Sequence, residues 1–215
     1  MRGDAPLGPD IDLINALLAR ARRLAGRGAA GADPKMRLLD VGTGHGRDLS
    51  YFARMKDVDA YGIDTADGFL EMLRERQRCE TIPRWRVLGM DMRHLAFKDE
   101  TFDIVRHNAT LLHLPLIGPG YGVDEALAET YRILRPNGVL YALVKAGDGM
   151  AIFDTREGLG PRFFQFFSER TLEECVCRNG FEACEITRHS SQRAGRLIEW
   201  LSITAQRAGN IAPGG

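Results

Sequence analysis

The sequence predicts an α/β protein with a doubly wound, mostly parallel sheet and helices on both faces. Three observations predict it. Segments with strand-like and helix-like patterning alternate through most of the 215 residues. The first strand candidate feeds the glycine-rich turn of "LLDVGTGHGRDL", Leu38 to Leu49. The C-terminal third places two strand candidates in succession with no helix between them, which suggests an antiparallel pair at the sheet edge.

The elements follow in order. Ile11, Ile14, Leu17, Leu18, Ala21 and Leu24 recur at helical spacing, with Asp10 as the expected cap and "GRGAAGADP" as the break. Strands are expected at "MRLLDVG", "VDAYGIDT", "RWRVLGMDM", "TFDIVRHNA" and "GVLYALVKA", with helices at "GRDLSYFARM", "GFLEMLRERQR" and "DEALAETYRIL" between most of them. "RPNG", Arg135 to Gly138, is turn chemistry ahead of the fifth strand. A long glycine-containing connection, "KAGDGMAIFDTREGLGPRFFQFFSERT", then leads to the helix "ERTLEECVCRNG" and the strands "FEACEITRHS" and "LIEWLSITAQR". The expected organisation is an N-terminal helical lid over residues 1–30, one domain over 31–208 and a flexible tail at 209–215.

Composition narrows the function classes. Lysine plus arginine equals aspartate plus glutamate at 29 each, so no global field would gather polyanions or an anionic membrane surface. The four cysteines, Cys79, Cys175, Cys177 and Cys184, have no CxxC spacing, and "MRGDAPLGPD" lacks the apolar core of a secretory signal. A cytoplasmic protein with free thiols is expected. No apolar run approaches the length of a membrane span.

The glycine turn carries the functional reading. In a doubly wound sheet, ligands lie beyond the carboxyl ends of the strands, where glycines let backbone approach them. The dinucleotide fingerprint GxGxxG would require glycine at position 47, which is Arg47; the spacing here is Gly42, Gly44, Gly46. Acids end three successive strand candidates. Asp40 precedes the turn, Asp64 lies about 20 residues beyond the first glycine, where a carboxylate suits ribose hydroxyls, and Asp91 ends the third. Three carboxylates on one edge repel one another unless a ligand relieves them. They would repel the pyrophosphate of NAD and welcome the sulfonium and ammonium of S-adenosylmethionine.

In order and spacing, "LLDVGTGHGRDL", "YGIDTA", "VLGMDMRHLAFKDETFDIV" and "YRILRPNGVLYALVK" resemble the motifs of class I S-adenosylmethionine-dependent methyltransferases, over about residues 36 to 208. The resemblance implies a Rossmann-like, seven-stranded sheet with an antiparallel last strand, and S-adenosylmethionine as cofactor. It implies that Asp40, Gly42, Thr43, Gly44 and Gly46 surround the methionine part, with Asp64 on the ribose and Thr65 beside it. Asp91 would accept from the adenine amino group, the backbone of Met92 would meet the ring edge, and Asn108 would line the methyl-donor site. Structural alternatives stand beside these roles: Asp40 and Asp91 as helix N-caps, Asn108 as a turn former.

The implied reaction is direct displacement of a methyl group from sulfonium onto a nucleophile, in which alignment and exclusion of water do much of the work. A base is needed only if the nucleophile must lose a proton. His113 in "NATLLHLP" is the first candidate because its loop lies on the carboxyl edge and histidine titrates near neutrality; its alternative is to pack that loop. His107 is second, placed nearer the cofactor but within the strand. Structural or solvent roles are expected for His45, His94 and His189.

Substrate contacts are expected outside the shared core: Tyr121 in the glycine-rich "LIGPGYGVDE", Lys145 at the end of the fifth strand, Arg162 as a partner for an anion, and Phe163 in the aromatic cluster of the long connection. No NPPY-like or DPPY-like segment follows the fourth strand, no Pro-Cys pair is present, and the acid of a ribose-methylating tetrad is missing near Asn108. A small-molecule acceptor, methylated on oxygen or nitrogen, is therefore the default, with no metal, no membrane and no nucleic acid partner. Two other readings remain open: an RNA methyltransferase using the basic stretch "ARARRLAGRG", and a cofactor-binding module without catalysis. A dehydrogenase is disfavoured by Arg47 and the acid-rich edge.

Overall fold

A computed structural model describes residues 8–26, 34–79, 86–154, 162–193 and 195–209. Nine strands, five α-helices and one short 3-10 helix are described. They run α1 (Gly8–Leu24), β1 (Met36–Val41), α2 (Arg47–Ala53), β2 (Val58–Asp64), α3 (Asp67–Cys79), β3 (Arg86–Gly89), β4 (Phe102–Asn108), a 3-10 turn (Leu111–His113), α4 (Val123–Ile133), β5 (Leu134–Lys145), β6 (Ala151–Asp154), β7 (Arg162–Gln165), α5 (Glu169–Arg178), β8 (Phe181–Arg193) and β9 (Arg196–Arg207).

Seven strands form one sheet in the order β3-β2-β1-β4-β5-β9-β8. The pairings β3–β2, β2–β1, β1–β4 and β4–β5 are parallel, whereas β9 runs antiparallel between β5 and β8. The expected seven-stranded, mostly parallel sheet with a reversed last strand is therefore observed. Strand order reverses between β1 and β4, so their carboxyl ends open a crevice where a doubly wound sheet binds its ligand.

Alternation along the central strands separates two cores. Leu39, Val41, Val105 and Leu140 face α4 and α5, meeting Leu127 and Leu172. Leu38, Ile104, Val139 and Tyr141 face the other way, against α1, α2 and α3 through Leu17, Phe52 and Leu73. Residues on both faces of these strands are buried, which is why they read as apolar runs. The apolar stripe predicted for α1 is part of this second core, with Ile14, Leu17, Leu18 and Ala21 all buried. The helix begins at Gly8, so Asp10 lies inside its first turn instead of capping it. Residues 1–7 and 27–30 of the expected lid, and 210–215 of the expected tail, lie outside the described residues.

Two further expectations are corrected. "RPNG" is incorporated into β5: Phe102 pairs with Leu134 and Ile104 with Val139, so the intervening turn chemistry is spent on a bulge at the base of the strand, with Asn137 at φ 63°. The long connection after β5 contains an antiparallel hairpin, β6 with β7. It is tied to the carboxyl edge where Phe167 N–H donates to Lys145 O at 2.9 Å and Gly147 N–H donates to Phe167 O at 2.9 Å. Cys175, Cys177 and Cys184 are free thiols, as expected; the side chain of Cys79 lies outside the described residues.

Candidate active site

The glycine turn leaves β1 and folds across the end of β2. Gly42 and Thr43 N–H both donate to Ile63 O, at 2.8 and 3.0 Å. Gly42 has φ +67°, and a Cβ there would stand 1.8 Å from Thr110 Cγ2, so the bare backbone is a steric requirement. Gly44 N–H donates to Asp64 Oδ2 at 2.8 Å, and Ala66 N–H donates to Asp64 Oδ1 at 2.9 Å. Each Asp64 oxygen retains a lone pair for a further donor. Gly46, in left-handed conformation, starts α2.

These elements enclose a cavity of about 280 Å³, lined by Gly42, Gly44, Asp64, Thr65 and His113 on its polar side and by Val41, Ile63, Phe69, Met90, Met92, Ala109 and Thr110 elsewhere. A carboxylate at the end of β2, a bare glycine turn and an apolar wall from Ile63, Phe69, Met90 and Met92 fit the ribose, methionine and adenine parts of S-adenosylmethionine. A cavity of about 330 Å³ lies at the opposite edge, beside the Arg135–Asp103 ion pair at the start of β4 and β5. It faces the amino ends of the strands, away from the glycine turn.

Two of the acids expected on the ligand are occupied by protein. Asp40 is buried, accepting from Thr43 Oγ1 at 2.9 Å and from Arg106 Nη1 at 2.8 Å. Arg106 Nη2 reaches Asp48 Oδ2 at 2.8 Å, and Arg47 Nε donates to Asp48 Oδ1 at 2.6 Å. Burial holds the Asp40 carboxyl above its ordinary value although Arg106 opposes this. Burial pushes Asp48 the same way, but the Arg47 hydrogen bond and the Arg106 charge bring it below the ordinary value. Asp40 and Thr43 therefore brace the turn from beneath and do not line the cavity. Asp91 accepts from Arg93 through Nε and Nη2 at 3.1 and 2.6 Å, and that hydrogen bonding holds its carboxyl below the usual range. The cavity wall at this strand end is Met90 and Met92 instead.

Arg106 is the functional residue that sequence reasoning missed. Its signal was a charge inside the central strand "FDIVRHN", since a fully buried arginine requires partners. Asn108 lies beside the same network, 3.4 Å from Asp48 Oδ2, while Ala109 and Thr110 line the cavity in its stead. Ala109 holds φ 58°, a strained value that places the chain at the cavity wall.

The two candidate bases separate clearly. His107 is fully buried, with Nε2 2.8 Å from Thr130 Oγ1 on α4. Thr130 Oγ1 donates to Ala126 O, so its oxygen accepts and His107 carries its proton on Nε2. Nδ1 is then a buried lone pair without a partner, and burial lowers the pKa to about 3. His107 cannot reach an acceptor in the cleft and is withdrawn as a base. His113 lines the cavity. Its Nδ1 is 2.8 Å from Phe163 O, a group that only accepts, so the ring proton sits on Nδ1 and Nε2 presents a lone pair. Burial, with the charges of Arg162 and Lys145, holds His113 below the ordinary histidine value, so the ring is neutral at pH 7.

Around His113 lie three of the expected substrate residues, Phe163 and Arg162 from the hairpin and Lys145 from the end of β5. Phe163 provides the carbonyl, while Phe164 places its ring 4.9 Å from the imidazole. Lys145 Nζ is 3.6 Å and the Arg162 guanidinium 5.3 Å from the Phe164 centroid. Tyr121 is elsewhere: it is 62% exposed and lines a separate groove of about 190 Å³ with Glu174 and Arg178 of α5. His45 and His94 are exposed in the turns, and His189 Nε2 is 2.7 Å from Ser202 Oγ between β8 and β9. Among the described residues no cluster of His, Cys, Asp and Glu could hold a metal ion.

Residues 39–142 match the family described as methyltransferase domain. Methyltransferase GfsG of Streptomyces halstedii is 30% identical over 73% of this chain and 56% of its own length. Fatty-acid O-methyltransferase of Mycolicibacterium smegmatis is 33% identical over 81% of this chain and 61% of its own. The chain thus spans under two thirds of each. A solved S-adenosylmethionine-dependent methyltransferase from Methanosarcina mazei superposes with a TM-score of 0.69 at 18% identity, covering 83% of this chain and 95% of that one, which shows a shared fold. The glycine turn, the carboxylate at the end of β2, the sheet order and these matches agree: residues 39–142 are a methyltransferase domain, built on the fold of the class I S-adenosylmethionine-dependent methyltransferases.

Proposed function

We propose that this protein transfers the methyl group of S-adenosylmethionine to an oxygen or nitrogen atom of a small-molecule acceptor, with His113 as general base. The observation that carries the reading is the placement of His113, whose ring lines the cavity at the glycine turn and whose Nδ1 bond to Phe163 O leaves Nε2 unprotonated. When bound, S-adenosylmethionine supplies a methyl group on a positively charged sulfur that leaves as a neutral thioether. Asp64 accepts from the ribose hydroxyls, the Gly42–Gly46 turn receives the methionine part, and Phe69, Met90 and Met92 cover the adenine. Ala109 and Thr110 narrow the wall beside the transferring carbon, excluding water and aligning the acceptor. As the acceptor X–H bond gives way to X–CH3, its proton passes to His113 Nε2, while Nδ1–H stays with Phe163 O.

The relatives named above include a fatty-acid O-methyltransferase, which supports a small acceptor. No helix among the described residues is long and apolar enough to cross a membrane, and a cytoplasmic location is proposed with the activity. His113→Ala tests the base. Turnover is expected to fall about a hundredfold or more, with S-adenosylhomocysteine affinity and melting temperature close to the parent. The parent rate should rise with pH through a value below that of free histidine, and this limb should vanish in the variant. A variant that is folded, binds S-adenosylhomocysteine and keeps parental turnover would remove His113 from the chemistry. Parental protein that binds S-adenosylhomocysteine yet transfers no methyl group to any acceptor would favour the reading as a binding module.

A further inference from the structure

The corner where α5 hands over to β8 brings two thiols together. Cys177, in the last turn of α5, and Cys184, near the start of β8, have their sulfur atoms 3.5 Å apart. Cys177 is exposed and Cys184 half-buried. The chain between them turns tightly: Asn179 N–H donates to Val176 O at 3.2 Å and Gly180 N–H donates to Cys177 O at 3.0 Å. The remaining cysteine of α5 does not compete, because Cys175 is buried and its Sγ accepts from Arg178 Nη2 at 3.5 Å, beside the Arg178–Asp124 pair.

A bulge in β8 is what aims Cys184 at the helix. Phe181 lies on the face that packs against α5, and three residues further on an unbroken strand would turn its side chain to the opposite face. Glu182 pairs with Gln206 and Glu185 with Thr204, so one extra residue is inserted between them, with Ala183 in the left-handed region at φ 51°. The insertion returns Cys184 to the α5 face, where it packs with Ile186 against the core that includes Phe181 and Leu172. Arg20 of α1 pins the bulge from the other face, donating to Ala183 O at 3.2 Å and pairing with Glu185 at 2.9 Å. Burial and the hydrogen bond between the two sulfurs push the Cys184 thiol up to about 12. Cys184 therefore keeps its proton, while Cys177 is the thiol that meets reagents from solvent.

We propose that Cys177 and Cys184 are a redox modification site, a dithiol that a small-molecule disulfide converts reversibly into an intramolecular disulfide joining α5 to β8. The Cys177 thiolate attacks one sulfur of the reagent, forming a mixed disulfide and releasing one reagent thiolate, which takes up a proton. Cys184 then gives up its proton and attacks Cys177 Sγ, so that the protein disulfide forms and the second reagent thiol leaves. The two protein thiols lose two electrons, and the reagent disulfide gains the same two. Once Cys177 is in the mixed disulfide, one of the causes that hold the Cys184 proton is gone. Phe181 pairs with Arg207, and the neighbouring Gln206 with Val139, at the amino end of the sheet. The cross-link therefore acts on the corner between α5 and β8, away from the glycine turn.

The test is oxidation of the folded chain with glutathione disulfide, followed by alkylation and peptide mapping by mass spectrometry, for the parent, Cys177→Ser and Cys184→Ser. Trypsin cuts at Arg178, between the two cysteines, so the cross-link appears as a joined pair of peptides, and fragmentation separates Cys177 from Cys175. The parent is expected to lose two hydrogens, to yield the Cys177–Cys184 pair, and to regain its mass with dithiothreitol. Cys184→Ser should stop at a glutathione adduct on Cys177, and Cys177→Ser should remain unmodified at the same dose. The oxidised parent should melt roughly 4–8 °C above the reduced protein, as closure of a short loop gives, and neither variant should show the rise. Parent cysteines that stay unmodified, carry separate adducts, or link instead to Cys79 or Cys175 overturn the inference. So does a Cys177–Cys184 disulfide that leaves the melting temperature unchanged or lowers it, since the native corner would then not accept the bond.

Discussion

Acidification should weaken the fold through His107. Its Nε2–H is committed to Thr130, whose hydroxyl is in turn committed to Ala126 O, and Nδ1 is buried with no acceptor beside it. A proton arriving at Nδ1 would be a buried charge without a partner, which is why the folded pKa is lowered to about 3 by burial. The folded value lies below the unfolded one of about 6.5, so the unfolded chain binds the proton more readily. The stability tied to the neutral ring is full above the unfolded pKa and is lost progressively as pH falls from there towards the folded value. Between about pH 7 and about pH 5 the loss is ~2 kcal/mol, since each unit below the unfolded pKa costs about 1.4 kcal/mol. In a domain of this size that lowers Tm by roughly 4–8 °C. The assay is urea unfolding at both pH values for the parent and for His107→Gln, whose amide N–H can still donate to Thr130. The variant should lose about 2 kcal/mol less than the parent over the same interval. Equal losses in the two proteins would refute the assignment of acid sensitivity to His107.

Arg106→Met should cost about 3–5 kcal/mol in urea unfolding, because it leaves Asp40 and Asp48 buried without their shared cation; a loss under about 1 kcal/mol would mean the pair is not desolvated in solution. Gly42→Ala should destabilise by about 1–2 kcal/mol from the left-handed backbone alone. The added methyl also displaces Thr110 into the cavity, so S-adenosylhomocysteine binding should weaken in calorimetry. Asp64→Ala should weaken cofactor binding by about 1.5–3 kcal/mol, the range for hydrogen bonds to a charged group. An unchanged dissociation constant would leave Asp64 as a brace for Gly44 and Ala66 only.

The sheet was legible because its central strands are apolar on both faces and its helices amphipathic, patterns that local composition records directly. The carboxyl edge was legible as well, since strand ends and glycines can be counted. What could not be counted was which partner each edge group would choose. Asp40 and Asp91 stand at strand ends as expected, yet both turn to arginines, one 66 residues away on β4 and one two residues on. The same limit applies to His107 and His113, six residues apart: one side of a strand decides that the first is sealed beneath α4, and a 3-10 turn brings the second round to the cleft. The hairpin escaped detection because its strands are four residues each and its phenylalanines run together, which hides the alternation.

Among the described residues the hairpin shares no ladder with the seven-stranded sheet, and the chain that follows it meets that sheet in an isolated bridge between Phe167 and Ala146. Its length and outward residues can change without shifting the register of any central strand. The hairpin side of the cleft is in that sense detachable from the side built on the glycine turn. Insertions or substitutions between β5 and α5 are thus a route by which descendants of this chain could take new acceptors while the glycine turn, Asp64 and the Arg106 network stay fixed, and the same segment is where a graft from another family member would be placed.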